Sequence, residues 1–164
     1  MIGALATPTV YHGFSRLAAP AIDIWLLHRR RQGKEDKLRF AERLGRPGRA
    51  RPDGRLAWAH AASVGESLAV LPLAERLNAE GLNVLITSGT VTSARVLEKR
   101  LPERMLHQYV PIDRPAPVRR FLDHWQPDMA IWVESELWPN LVLAAAARAI
   151  PMIMVNARMS ERSA

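Results

Sequence analysis

The chain contains no cysteine in its 164 residues, which excludes a disulfide framework and any thiolate metal site and makes a reducing compartment its natural setting. Nor does it carry the three spaced glycines of a dinucleotide fingerprint, or a His/Asp/Glu spacing of the kind that ligates metal. No metal and no cofactor is therefore expected. It also lacks the ~20 uninterrupted apolar residues of a membrane-spanning helix, because Pro8, His12, Arg16, Pro20 and Asp23 break the first apolar stretch. A cleaved signal peptide is disfavoured, since the positive charges follow that stretch instead of preceding it. Disorder is excluded by 48% hydrophobic and 24% charged residues, the proportions of a folded domain. A chain of this size buries one core.

Acidic residues are the scarcer charge, and the imbalance is local. Residues 29–55 hold eleven Lys/Arg against four acids, which accounts for the whole net charge of +7. The basicity belongs to one stretch and not to the fold that follows it. It comes directly after residues 1–27, whose only charges are Arg16 and Asp23 and which carry Tyr11, Phe14 and Trp25. An apolar segment followed by basic residues has two sources of membrane affinity, apolar burial and attraction to anionic headgroups. Residues 1–31 are expected to form a membrane-associating helix lying in the interface, with the positive-inside rule placing the remainder in the cytoplasm. The alternative is a first helix docked on the domain, with the arginines solvating a connector over 32–54. Gly45, Pro47, Gly48, Pro52 and Gly54 mark the linker into the globular part, residues 55–164.

From Arg55 onward, short apolar strands alternate with helical stretches. Strands are expected over 56–61, 83–88, 107–112, 129–133 and 152–155. Leu68, Leu71, Ala74 and Leu77 make an apolar stripe on the first helix, Gly81 is a plausible stop, and Pro72 should kink that helix or delay its start. Later helices are expected near Thr92, Pro115 and Pro139. Apolar strands separated by helices indicate a doubly wound α/β domain with a parallel sheet, whose ligands bind beyond the carboxyl ends of the strands.

The residues after each strand are therefore the candidates. After the first come His60-Ala61-Ala62-Ser63-Val64-Gly65-Glu66, where Ser63 and the Gly65 amide could hold an anion at a helix N-terminus. The same Ser-x-x-Glu spacing is the signature of a capping box, which spacing alone favours. After the second come Thr87-Ser88-Gly89-Thr90-Val91-Thr92-Ser93, whose hydroxyls suit sugar or phosphate but serve equally as a helix cap. After the fourth, Glu134-Ser135-Glu136-Leu137-Trp138-Pro139-Asn140 sets two carboxylates at the rim of the core. Clustered acids there suit general acid/base work, and Glu134 is read as functional. After the last strand Arg158 could grip an anionic substrate, with Ser160 beside it, although a solvated loop is the ordinary alternative. Trp58 and His60 are read as core.

Three runs carry a resemblance: His60 to Glu66, Glu134 to Asn140, and Val155-Asn156-Ala157-Arg158-Met159-Ser160-Glu161-Arg162-Ser163. In order and spacing they resemble the signature segments of the Kdo (3-deoxy-D-manno-octulosonate) transferases. That resemblance implies a GT-B glycosyltransferase of two Rossmann-like domains, of which this chain is the amino-terminal, acceptor-binding half. It implies transfer of Kdo from CMP-Kdo to the lipid A precursor, without metal, at the cytoplasmic face of the inner membrane of Gram-negative bacteria. Glu66 maps onto the family's proposed catalytic base and Glu134 onto a second important carboxylate. Ser63, Gly65, Glu136, Arg158 and Ser160 are the expected substrate-binding residues. The expected partners are the lipid A precursor, CMP-Kdo through the carboxy-terminal domain, and the membrane surface, with no nucleic acid. As the chain stops at Ala164, before that second domain, it is expected to be inactive alone. Two other classes stay open on sequence: a non-catalytic module binding anionic lipid or nucleic acid, and another GT-B transferase.

Overall fold

A computed structural model describes residues 11, 13, 15, 18–102, 104–133 and 137–155. Among these, five strands form one parallel sheet: β1 (Leu56–His60), β2 (Asn83–Ser88), β3 (Met105–Tyr109), β4 (Met129–Val133) and β5 (Met152–Val155), in the order β3-β2-β1-β4-β5. The helices are α1 (Ala19–Arg31), the single turn α2 (Phe40–Arg43), α3 (Val64–Ala79), α4 (Val91–Glu98), α5 (Pro115–Trp125) and α6 (Pro139–Ala146). This is the doubly wound α/β arrangement that the alternating apolar runs indicate.

Side-chain alternation along the strands divides the core into two layers. Leu56, Trp58, Leu85, Ala130 and Trp132 face α5 and α6, where they meet Val118, Phe121, Leu122, Trp125, Leu141 and Ala145. Ala59, Ile86, Ile131 and Val133 face the opposite way, against Val70, Leu71 and Ala74 of α3 and Leu97 of α4. Burial on both faces explains why the strands are apolar throughout rather than alternating.

Three strands fall on their expected bounds, and β1 ends one residue early. β3 corrects the expected 107–112: it begins at Met105 and stops at Tyr109. The apolar Val110-Pro111-Ile112 run belongs to the rim, where Pro111 has no N–H to give to a ladder and the Ile112 amide bonds the Arg43 carbonyl at 2.8 Å. The first helix starts at once, at Val64, and runs through Pro72. Pro72 is solvent-exposed. Gly81, at φ +87°, stands just past the helix end in the left-handed conformation that glycine permits.

The basic segment is packed against the domain. Glu42 Oε2 accepts the Tyr109 amide at 2.8 Å, and Arg39 Nη2 donates to the His107 carbonyl at 2.8 Å. Arg43 Nη1 donates to the Val110 carbonyl. β3 is an edge strand, and these side chains occupy the groups a further strand would have paired. The linker follows the surface closely. A Cβ on Gly45 would lie 2.0 Å from the Pro117 carbonyl oxygen, so only glycine lets the backbone pass, and Arg51 Nε bonds the Trp125 carbonyl at 2.7 Å.

Candidate functional site

Chain order fixes where a ligand cleft forms. The path steps from β1 to β2 to β3 on one side, then crosses back to lay β4 against the other side of β1. The switch point lies between β1 and β4, which are paired in parallel with His60 opposite Trp132. The loop leaving β1 climbs to α3 on one face, and the segment leaving β4 runs to α6 on the other. Such a divergence opens the crevice in which doubly wound sheets bind ligands. It brings the ends of the two strands that precede Ser63–Gly65–Glu66 and Glu134–Glu136 side by side. Glu134, Glu136, Arg158 and Ser160 themselves lie outside the described residues.

Glu66 sits in the first turn of α3. Its backbone N–H is bound by the hydroxyl of the N-cap Ser63 at 3.2 Å, and its carboxylate Oε2 accepts the Ala62 amide at 2.8 Å. The expected capping box is thus present with one change: the glutamate reaches the amide one residue before the cap, at Ala62, instead of that of Ser63. Ser67 adds a hydroxyl bond to the Ser63 carbonyl at 2.7 Å. These bonds hold the carboxylate in one orientation, with 8% of Glu66 exposed at the rim. Oε1 has no partner among the described residues.

Gly65 is not required by the backbone, because its φ is not positive and a Cβ there would stand 3.9 Å from Ser63 Oγ, an ordinary contact. What glycine provides is a bare surface beside the Glu66 carboxylate at the helix N-terminus.

The hydroxyls of Thr87 and Ser88, which end β2, turn inward. Thr87 Oγ1 takes the Trp58 indole N–H at 2.9 Å and lies 3.0 Å from His60 Nδ1. Ser88 Oγ meets His107 Nε2 at 2.9 Å, and Thr90 caps α4 by accepting the Ser93 amide at 3.1 Å. Thr90 thus supplies the helix cap that the sequence offered for this run, while Thr87 and Ser88 are buried at the end of the sheet.

Under the rim lies an aromatic layer that includes Trp58 and His60, both core as expected. Trp132 stands edge-on to Trp58 at 5.1 Å and to His60 at 5.4 Å. Burial pushes the His60 imidazole down to about 4, so it is neutral near pH 7. Among the described residues, His60 Nε2, Trp132 Nε1 and Trp138 Nε1 are buried without a hydrogen-bond partner. An unmet buried polar group costs about 1–3 kcal/mol; these three lie at the carboxyl ends of β1 and β4 and the entry to α6, while Arg43 Nε and Gln108 Nε2, by β3, are likewise without a hydrogen-bond partner among the described residues.

Sequence reasoning missed Asp113, on the loop between β3 and α5. It is buried at 6% exposure, and its two oxygens take the amides of Asn140 at 3.1 Å and Leu141 at 2.9 Å, the first N–H groups of α6. Pro139 marks a helix start whose preceding residue, Trp138, offers no side-chain cap, but nothing in the sequence points from there to Asp113.

Comparison with known proteins follows the same lines. Residues 38–164 match the family described as 3-Deoxy-D-manno-octulosonic-acid transferase (kdotransferase). The probable mitochondrial 3-deoxy-D-manno-octulosonic acid transferase of Arabidopsis thaliana is 40% identical over 156 residues, 94% of this chain and 35% of its own length. The 3-deoxy-D-manno-octulosonic acid transferase of Rickettsia bellii is 41% identical over 157 residues, covering 94% of this chain and 37% of that one. That of Bordetella pertussis is 38% identical over 162 residues, covering 94% and 38%. The chain thus spans little more than a third of the length of these relatives. Among solved structures, the C-terminal domain of a hydrogenase from Pyrococcus furiosus aligns with a TM-score of 0.47 at 16% identity, over 66% of this chain and 95% of that one, a likeness too loose to bear on function.

Proposed function

Because the chain belongs to the 3-deoxy-D-manno-octulosonic-acid transferase family, we propose that it forms the acceptor-binding part of a glycosyltransferase that moves Kdo from CMP-Kdo onto a hydroxyl of the lipid A precursor, lipid IVA, in lipopolysaccharide core assembly. The observation that carries this reading is the setting of Glu66, a carboxylate fixed through Oε2 at the switch point of a parallel sheet, with no partner for Oε1 among the described residues. A base must lie within hydrogen-bond reach of the proton it takes and must not swing away from it. In the proposed reaction Glu66 accepts the proton of the acceptor hydroxyl while that oxygen bonds to the anomeric carbon of Kdo. The bond from that carbon to the phosphate oxygen of CMP breaks, and CMP leaves with the electron pair. A single displacement of this kind inverts the anomeric configuration. Glu134, after β4, supplies the second carboxylate, and Ser63, Gly65, Glu136, Arg158 and Ser160 hold the acceptor. CMP-Kdo is held by a second domain of the GT-B enzyme, and no metal takes part.

The reading places the protein on the cytoplasmic face of the inner membrane. Its support is α1, on which Ile24 and Trp25 are 68% and 51% exposed and Leu27 lies beside them, next to exposed Arg31 and Lys34. Apolar side chains beside cations suit an anionic lipid surface. No helix among the described residues is long and apolar enough to cross a membrane, so the proposed contact is interfacial. Nucleic acid is not a proposed partner: Arg39, Arg43 and Arg51 of the basic segment are engaged with the domain.

Glu66→Gln in the full-length enzyme tests the assignment. The amide oxygen can still accept from Ala62, so the unfolding midpoint should stay close to that of the parent. Kdo transfer should fall by about 100-fold or more, the scale of a lost general base, with CMP-Kdo binding retained. Near-parental turnover by that variant removes Glu66 as the base.

A further inference from the structure

α1 is joined to the rest of the domain near both of its ends, and both joints lie past the carboxyl end of β3. At the first, Arg114, on the loop between β3 and α5, pairs with the Asp23 carboxylate and donates to the Ala19 carbonyl. At the second, Arg29 in the last turn donates Nε to Glu35 Oε1 at 2.6 Å, and Glu35 Oε2 forms an ion pair with Arg43 Nε at 3.4 Å. Arg43 in turn donates to the carbonyl of Val110, the residue after β3, whose own amide bonds the Ser88 carbonyl at 2.9 Å. Leu26, between the two joints, is buried.

The end of α1 is what brings Glu35 to this place. Gly33, at φ +72°, gives its amide to the Arg30 carbonyl at 3.2 Å, and the Lys34 amide goes to the Arg29 carbonyl at 3.0 Å. This pair of bonds is the Schellman stop, which turns the chain sharply at the helix end, and Glu35 comes back against the helix that the chain has just left. Only 4% of Glu35 is exposed, and a carboxylate so buried needs a partner. It has two, one on the helix and one on the body of the domain. Burial lowers the Arg43 guanidinium from its ordinary value, Glu35 opposes that shift and Arg29 adds to it. Among the described residues Glu35 is the one acid that pairs with either cation. Arg29 also carries the link outward, since its guanidinium lies over the Trp25 ring at 4.8 Å, and Trp25 is exposed with Ile24 and Leu27. The strands of this sheet are parallel and end on a common rim, so the end to which α1 is joined is also the end at which Glu66 follows β1.

We propose that Glu35 is a positioning residue, a clasp that fixes α1 to the carboxyl rim so that the face bearing Ile24, Trp25 and Leu27, laid on an anionic bilayer, holds the Glu66 cleft at a set height and tilt to the lipid. The proposal rests on the transferase reading and on the interfacial contact above. A helix joined near both ends transmits the plane of the membrane to the domain, whereas one on a flexible connector keeps the protein near the membrane without orienting it. The hydroxyl of a bilayer-embedded acceptor stands at a fixed depth, so its reach to Glu66 depends on that orientation. An acceptor in a small detergent micelle can approach the cleft from any direction and makes no use of the clasp.

The test uses the full-length enzyme with CMP-Kdo and lipid IVA, the acceptor being presented either in anionic vesicles at saturating lipid or in detergent micelles. Glu35→Gln should lower turnover on the vesicle acceptor about 10-fold or more, in line with the sensitivity of rate to misplacement, with turnover in micelles and co-sedimentation with vesicles little changed. Glu35→Asp, which keeps the charge, should recover part of the loss. An equal loss in both assays assigns Glu35 to folding alone and overturns the proposal, as does parental turnover on vesicles. If Glu35→Gln does not fold, Arg29→Gln serves instead. It opens the clasp on the helix side and leaves Glu35 to Arg43, and saturating lipid removes the effect of its lost charge on binding. It should show the same loss confined to vesicles, and a loss in both assays or in neither overturns the proposal. A parent enzyme that transfers no Kdo in either assay sinks the transferase reading and this proposal together. A parent active in micelles that does not sediment with anionic vesicles sinks the proposal alone.

Discussion

Arg39 points Nη2 at His107 Nδ1 across 3.0 Å, and Ser88 Oγ stands 2.9 Å from the other ring nitrogen. A guanidinium only donates, so Nδ1 is the acceptor and the ring proton sits on Nε2, where it is given to Ser88. The imidazole is neutral for the same reason that it is ordered: burial, and then the cation beside it, push it down to about 3.

Stability should follow this histidine in acid. Above 6.5 both folded and unfolded chains carry it neutral and it contributes nothing to pH dependence. As the pH falls toward about 3, the unfolded chain takes up the proton first and folding weakens, by at most about 1.4 kcal/mol per pH unit. His60, down at about 4, acts in the same direction. Asp113, raised by burial, opposes them. Urea midpoints between pH 7.5 and 4.5 should fall, and less steeply for His107→Asn. Equal slopes for parent and variant would mean that His107 protonates in place.

Gly65→Ala separates folding from function. Nothing crowds a Cβ there and the φ is ordinary, so the helix should gain about 0.5–1 kcal/mol. If acceptor approaches the bare backbone beside Glu66, the same methyl should raise the acceptor KM several-fold while the thermal midpoint rises. Unchanged kinetics would remove Gly65 from the binding surface.

Glu42 is the keystone of the β3 edge, since Oε2 holds the Tyr109 amide at 2.8 Å and both oxygens hold Arg39. Glu42→Ala leaves the buried Tyr109 amide without its acceptor and Arg39 with only Glu98 and His107, a change that should cost about 1–3 kcal/mol. It should also bare an edge prone to pairing between molecules. Urea unfolding measures the first effect and light scattering on storage the second. A variant as stable and as monodisperse as the parent would show that α2 is dispensable.

Membrane contact through α1 is tested by co-sedimentation with vesicles. Binding should require anionic lipid, fall with salt, and weaken about five-fold for each of Arg31→Gln and Lys34→Gln, the equivalent of about 1 kcal/mol per cation. Trp25→Ser should weaken it further. Equal binding to neutral vesicles by the parent and by a variant carrying all three changes would exclude this face.

What could be read from the sequence, and what could not, divides along chain distance. The bounds of β2, β4 and β5 were legible because each is an apolar run closed by residues that disfavour strands. Ser63 and Glu66 were legible because the cap is local: donor and acceptor lie three residues apart. The position of β3 was obscured by Val110-Pro111-Ile112, which is as apolar as a strand but forms the rim. The use of Arg39 and Glu42 to close the sheet was hidden, because their partners lie 67 and 68 residues away. Asp113 was hidden likewise: a single aspartate in a loop shows nothing of the helix start it will meet in space.

The closed edge at β3 has a counterpart at the other side of the sheet. Ile153 and Met154 of β5, on opposite faces, are both exposed, and no described side chain takes the place there that Glu42 and Arg39 take at β3. Among the described residues the β3 edge is the one that side chains close, so a strand joining the sheet there would first have to displace Glu42 and Arg39 from the backbone groups they hold.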